Sequence, residues 1–202
     1  MPRELEQGRY FRKSFIYNTS EILYTWHTFT FLTYWTPENK VIVLCFDLPA
    51  RFKESFIAIL NKPSTDLDLR DPYSINALLM LEITKLFDFS LWVVRDLVRD
   101  LEKNRTPSED PRPDYIRMHE LARHTIHSSE MLETTLETLA AMIQEHDAVF
   151  ENAEALGKNL TKTIWRKTGR DLKFQSTLLK GFYARSKALE ERLRNEISLV
   201  SD

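Results

Sequence analysis

Residues 114–202 read DYIRMHELARHTIHSSEMLETTLETLAAMIQEHDAVFENAEALG and then KNLTKTIWRKTGRDLKFQSTLLKGFYARSKALEERLRNEISLVSD, and no proline interrupts them. In the first half Met118, Ala122, Thr125, Ser129, Leu132, Leu136, Leu139, Ile143, His146 and Phe150 recur in alternating steps of four and three. In the second half Thr168, Leu172, Gln175, Leu179, Phe182, Ser186, Leu189, Leu193, Glu196 and Val200 keep the same rhythm. A heptad stripe of this kind asks for a partner helix. Two such stripes meeting at Leu156-Gly157 predict two helices, each roughly 60 Å long at 1.5 Å per residue, folded back on one another. Asp114 is suited to cap the first. The charges are also opposed. Residues 114–156 hold nine Asp or Glu against two Arg, and residues 158–202 hold eleven Lys or Arg against five acids. A turn near Gly157 would bring Asp147 and Glu151 level with Lys162 to Lys167, and Glu145 with Arg170. Exposed pairs contribute only about 0.2–1 kcal/mol each, so they would select partner and register more than stabilise.

Working outward, the three prolines at 107, 111 and 113 mark a connector that ends a preceding helix over about 73–104. Its stripe runs Leu79, Ile83, Leu86, Ser90, Val93, Leu97 and Leu101, widened by Leu78, Leu81 and Trp92. That helix is expected to cover the small and polar residues of the seam. Before it, Phe52, Phe56, Ile59 and Leu60 predict a short helix over 50–61 that stops before Pro63. Ser14 to Tyr17, Ile22 to Trp35 and Val41 to Phe46 are rich in aromatic, β-branched and threonine residues and read as strands, with a turn at Thr36-Pro37-Glu38-Asn39. Large rings on both alternating faces of 22–35 imply that the sheet is covered at least partly on each side.

The expected fold is α+β and predominantly α-helical: a small N-terminal β-hairpin or sheet with a short helix, then three long antiparallel helices ending in a coiled-coil-like hairpin. Residues 1–13 read as an N-terminal tail and 14–202 as a single domain, with 14–62 its small α/β part and 73–104, 114–156 and 158–200 its long helices.

Composition narrows the function classes. Four glycines in 202 residues leave little room for phosphate-cradling loops. A formal net charge of −2 gives no overall attraction to nucleic acid, which is not expected as a partner. The apolar runs fall short of the ~20 residues that span a bilayer, and no secretory leader is read at the N-terminus. Cys45 stands alone, which fits a reducing, cytoplasmic setting. No strained glycine turn sets Cys45 or a serine against a histidine and a carboxylate, so no catalytic residue is assigned and the chain is not expected to be an enzyme.

Glu120, His124 and His127 share one helical face at i, i+4 and i+7, with His119 off that face. A carboxylate and two imidazoles are the donor types that hold zinc or another divalent ion, and these three are the metal-ligand candidates. The alternative is a polar face whose histidines bond to neighbouring elements, and His146 in the seam reads as a satisfied core histidine. Trp26, Trp35, Trp92 and Trp165 read as core or interface anchors. Arg95, Asp96, Arg99, Asp100 and Glu102 read as salt bridges on a solvated helix face.

Several segments together carry a resemblance. They are Trp26-His27-Thr28-Phe29 with Phe46-Asp47-Leu48-Pro49; Leu91-Trp92-Val93-Val94-Arg95-Asp96 running to Asp100-Leu101-Glu102-Lys103; His119-Glu120-Leu121-Ala122-Arg123-His124 with Ile126-His127-Ser128-Ser129-Glu130; and Glu191-Arg192-Leu193-Arg194-Asn195-Glu196-Ile197. Over about residues 14–199 the chain resembles the cytosolic region of the CorA-like magnesium-transporter proteins of filamentous fungi. The resemblance implies a cytosolic α/β domain whose last helix leads to the membrane, pentameric assembly, and Mg2+ or another divalent cation as the associated ion. The family's pore helices and Gly-x-Asn signature have no counterpart here, so no pore residue is carried over and conduction by this chain alone is not expected. A pore-less domain would act by helix-mediated association or regulation, as a homo-oligomer or on a full-length CorA-like transporter, and would reach a membrane only through that partner. The rival expectation is a soluble helical adaptor unrelated to transport.

Overall fold

A computed structural model describes residues 5–18, 21–36, 40–63, 65, 67–103, 115–153 and 160–201. Three antiparallel strands, β1 (Leu5–Asn18), β2 (Glu21–Trp35) and β3 (Val41–Phe46), lie in the order β1-β2-β3. The helices follow: α1 (Ala50–Leu60), α2 (Ser74–Lys103), α3 (Tyr115–Glu151) and α4 (Lys162–Ser201). The fold is α+β and mainly helical, as the patterning predicts.

The N-terminal boundary differs. Strand β1 begins at Leu5, inside the segment expected to be a tail, and pairs with β2 from Leu5↔Thr33 to Asn18↔Glu21 with an irregularity between Leu5 and Gly8. Ladder bonds are made by backbone groups, so the charges of Arg9, Arg12 and Lys13 do not prevent pairing once β2 supplies partners. The expected turn residues Pro37, Glu38 and Asn39 lie outside the described residues. The Thr36 N–H donates to the Lys40 carbonyl at 2.8 Å and the Lys40 N–H to Thr36 Oγ1 at 3.2 Å, closing the turn between β2 and β3.

From Phe29 onward β2 has one closely covered side. Phe29, Phe31 and Thr33 are buried under α1 and α2: the Phe52 ring lies 5.2 Å from Phe29 and 5.8 Å from Phe31, and Thr33 Oγ1 donates to Asn76 Oδ1 at 2.8 Å. The opposite side, with Tyr34 and with Ile42, Leu44 and Phe46 of β3, is exposed. Thr30 and Leu32 of β2 on that side are nonetheless half-buried, so the expected partial cover of β2 on its second side holds there. Both short and long helices pack on the same face. Helix α1 is tied to α2 through the buried Glu82, which accepts from Ser55 Oγ at 2.6 Å and is bridged by Lys85.

The α3–α4 seam has the expected register. Seam residues Leu132, Leu139, Leu172, Leu179, Leu189 and Leu193 are nearly or wholly buried, and Ser129 Oγ donates to Ser186 Oγ at 2.8 Å. Contacts descend from Ser129–Ser186 to Asp147–Trp165, so the two helices are antiparallel. Asp114, the connector over 105–113 and Gly157 fall outside the described residues. Helix α4 begins at Lys162 behind Thr161, whose Oγ1 accepts weakly from the Ile164 N–H at 3.5 Å. The expected clasp of charges is not what joins the helices. Among the described residues no α3 carboxylate comes within ion-pair distance of an α4 lysine or arginine. Glu130, Glu133 and Glu137 point to solvent, and Asp147 accepts from the Trp165 indole instead. Burial of the apolar stripe, at about 25 cal/mol per Å2, carries the pairing.

Helix α2 runs beside both. Leu79, Ile83 and Leu97 of the predicted stripe are buried, but the buried sector extends to Met80, Phe87, Leu91, Val94 and Val98, leaving Val93 half-buried and Trp92 exposed. Trp92 lies under two guanidinium groups, Arg95 at 4.1 Å and Arg185 at 5.2 Å from the ring centre, and its N–H donates to Asp88 Oδ1 at 3.0 Å. Leu179→Ala, at a residue with 0% exposure, is expected to lower unfolding stability by about 2–5 kcal/mol in urea titration. Ile116→Ala, at 79% exposure, should change it by less than about 0.5 kcal/mol.

Candidate functional site

The proposed metal face of α3 does not assemble. His124 is turned into the packing of the bundle and buried, Glu120 Oε1 accepts from Arg123 at 3.2 Å, and His127 Nδ1 lies 3.2 Å from Glu130 Oε2. Helical spacing put the three on one side of a cylinder, but the edge of the buried sector falls between them. Among the described residues no three His, Cys, Asp or Glu side chains are grouped to hold a metal ion. His119 comes closer than its spacing suggests. It lines, with Ala122, Arg123, His124, Ile126, His127 and Glu130, an open hollow of about 600 Å3.

A second polar centre, at the opposite end of α3, joins residues far apart in the sequence. Asp71 precedes α2, and its Oδ1 accepts from the Tyr73 N–H at 2.9 Å, which fixes the carboxylate at the helix start. Asp71 Oδ2 lies 2.8 Å from His146 Nε2, and both side chains are wholly buried. The Tyr73 ring meets His146 edge-on at 5.4 Å, Trp165 of α4 stacks on His146 at 6.3 Å, and Phe150 stacks on Trp165 at 4.6 Å. Gly169 of α4 faces the imidazole, where a Cβ would make an ordinary van der Waals contact 3.5 Å from His146 Cε1. His146 Nδ1 has no hydrogen-bond partner among the described residues and lies 4.0 Å from Asp147 Oδ1. An aspartate holding an imidazole resembles the orienting half of a catalytic triad, but with both groups sealed from solvent no substrate reaches them. The pair is a tie between the α2 entry, α3 and α4. Sequence spacing identified His146 as a core histidine and could not name a partner 75 positions away.

Beside this tie, a groove of about 530 Å3 runs between the first turns of α2 and the first half of α4, with Leu78, Leu81 and Phe174 as its apolar wall and Asp68, Lys167 and Arg170 as charged groups. The bidentate Arg70 guanidinium, bonded to Asp68 at 2.9 Å and 2.6 Å, holds the Asp68 carboxyl below its ordinary range, and Lys167 adds to that attraction.

The far end of the bundle holds a third cluster. Leu91, Val94, Leu97 and Val98 of α2, Leu121 of α3 and Leu189 and Leu193 of α4 form one buried group. It is bounded by Glu102, which accepts from Arg192 Nε at 2.7 Å and from Nη2 as well. The Glu102 carboxylate raises the Arg192 guanidinium above its ordinary range, with Glu196 contributing. Lys187 is likewise raised by its 2.8 Å bond to Glu190. Bidentate geometry of this kind fixes helix orientation as well as charge.

These features define an α+β protein with a three-stranded sheet on a bundle of three long helices, in which the polar centres join helices to one another. Among the described residues no helix is long and apolar enough to cross a membrane. No protein-family model matches the chain. The chain is similar to the notoamide biosynthesis cluster protein M' of Aspergillus versicolor, 29% identical over 143 residues, which covers 64% of this chain and 31% of that protein. The chain thus spans about a third of the length of the curated relative it matches.

His146→Leu, which strands the Asp71 carboxylate, is expected to destabilise by about 3–5 kcal/mol in chemical denaturation. Asp71→Asn, which keeps an acceptor for the Tyr73 N–H, should destabilise less. Zinc titration followed by elemental analysis should give the same metal content for the wild type and for the pair His124→Ala and His127→Ala. A stoichiometric loss in the double variant would restore the α3 metal face.

Proposed function

We propose that this chain is a CorA-like cytosolic domain that works by association through its long helices, with itself or with a full-length transporter, and not by catalysis or by conducting ions alone. One observation carries the reading. Segments that the resemblance rests on, far apart in the chain, come together at one end of the bundle: Leu91 and Val94 of α2, Leu121 of α3 and Leu193 of α4 share a buried cluster, and Glu102 grips Arg192 across α2 and α4. Shared residues that pack on each other are what a common architecture requires, whereas scattered matches would not meet. Helical surface for association is available where Phe174 and Trp92 stand exposed along α4 and α2. The relative is a much longer protein, which suits a domain that acts beside other segments.

Light scattering of the purified chain with and without millimolar Mg2+ tests the reading. Assemblies heavier than the 23.9 kDa monomer that shift with the ion, and that Trp92→Glu with Phe174→Glu weaken at least tenfold, are expected. A monomer indifferent to Mg2+ that captures no CorA-like transporter would overturn it, and binding only to proteins unrelated to transport would favour the adaptor reading.

A further inference from the structure

Strand β3 reads Val41-Ile42-Val43-Leu44-Cys45-Phe46, six apolar residues in a row, and it is an edge of the sheet. Its pairing with β2 sets Val41, Val43 and Cys45 on the face shared with Phe31 and Thr33. Ile42, Leu44 and Phe46 therefore stand on the other face, 47%, 48% and 52% exposed, beside Tyr34. Edge strands are ordinarily protected by a charge, a proline or a bulge within the strand. This one has none. Lys40 comes just before it and Asp47 just after, both exposed and neither in an ion pair among the described residues. Asp47 adopts φ 54°, a left-handed conformation that turns the chain out of the sheet after Phe46 and leaves the six-residue edge clear.

We propose that β3 pairs antiparallel with β3 of a second copy of this chain, joining two sheets into one of six strands, with Leu44 facing Leu44 of the other copy on the two-fold axis. A two-fold axis perpendicular to the sheet keeps each face on its own side, so only residues of the same face can lie opposite one another. With the axis at Leu44, Ile42 faces Phe46 of the other copy on both sides, and Val43 faces Cys45 on the covered side. Every exposed apolar residue of the strand then has an apolar neighbour. Moving the axis to Val43 would set Phe46 against a lysine. Reversal of direction also brings the Lys40 end of each copy beside the Asp47 turn of the other, so the unlike charges that flank the strand become complementary when it pairs with itself. This surface lies on the sheet and does not depend on the helix-mediated association proposed above.

In a Cys45→Ser background, Leu44→Cys should form a disulfide-linked dimer under mild oxidation, and Ile57→Cys, equally exposed on α1 but off the edge, should not. In a Trp92→Glu with Phe174→Glu background, which removes the helical association, sedimentation should rise with concentration toward twice 23.9 kDa, and adding Leu44→Lys, folded as judged by circular dichroism, should hold the chain at the monomer mass. Linking at Leu44→Cys no faster than at Ile57→Cys would overturn the pairing. So would a Leu44→Lys chain in that background that still dimerises; a drop from heavier assemblies to the dimer in the Trp92→Glu with Phe174→Glu background alone would bear on the helical association and not on the strand. Amides of β3 that gain protection only when a different protein is added would assign the edge to that partner and equally overturn a pairing of copies.

Discussion

The structure depends on the apolar seam between α3 and α4. Leu139, Leu172 and Leu179 are sealed from water within it, α2 packs on the surface that the two helices make together, and α1 and β2 pack in turn against α2. Remove the seam and each helix is a long amphipathic rod with nowhere to place its stripe. The seam is also impure. Ser129 and Ser186, Thr125, Thr168 and Gln175 occupy positions where leucine would bury more surface. Small side chains let the backbones come close, and polar ones must find partners at the correct level, as Ser129 does with Ser186. Register is thereby specified where burial alone would tolerate a slip.

Much of this was legible because a heptad rhythm is a statement about one dimension. Counting from Met118 and from Thr168 marks the buried sides of α3 and α4. The stripe of α2 was less secure because it faces two neighbours, and the widest buried sector lies over Met80, Phe87 and Leu91 and not over Trp92. Strand β1 was missed for a related reason. Arg9, Arg12 and Lys13 carry no apolar rhythm, and it is the neighbouring backbone of β2 that makes their segment a strand. Charge pointed to the right partner, since the acidic and basic helices do pair and Glu133 acts on Lys187 across them, but among the described residues no α3 carboxylate closes an ion pair with an α4 lysine or arginine.

The sites follow the same division. Glu120, His124 and His127 are near one another on a helical projection, and tertiary packing buries His124 while Glu120 and His127 bond to Arg123 and Glu130. Asp71 and His146 could not be connected by any local rule, because what joins them is the path of the loop before α2 past the seam. Their burial makes them a fastening, and Glu102 with Arg192 makes a partly exposed one at the other end. Function is thus sought at surfaces: the edge of β3, and the helical faces around Trp92 and Phe174.

Three is an odd number of long helices, and that has a mechanical result. Each helix reverses the one before it, so α2 and α4 point the same way while α3 opposes both. A load borne at the C-terminal end of α4 would act along its axis, against leucines held from one side by α3 and from the other by α2. Such a load must slide all of those contacts at once instead of opening them one by one, which makes α4 a stiff strut.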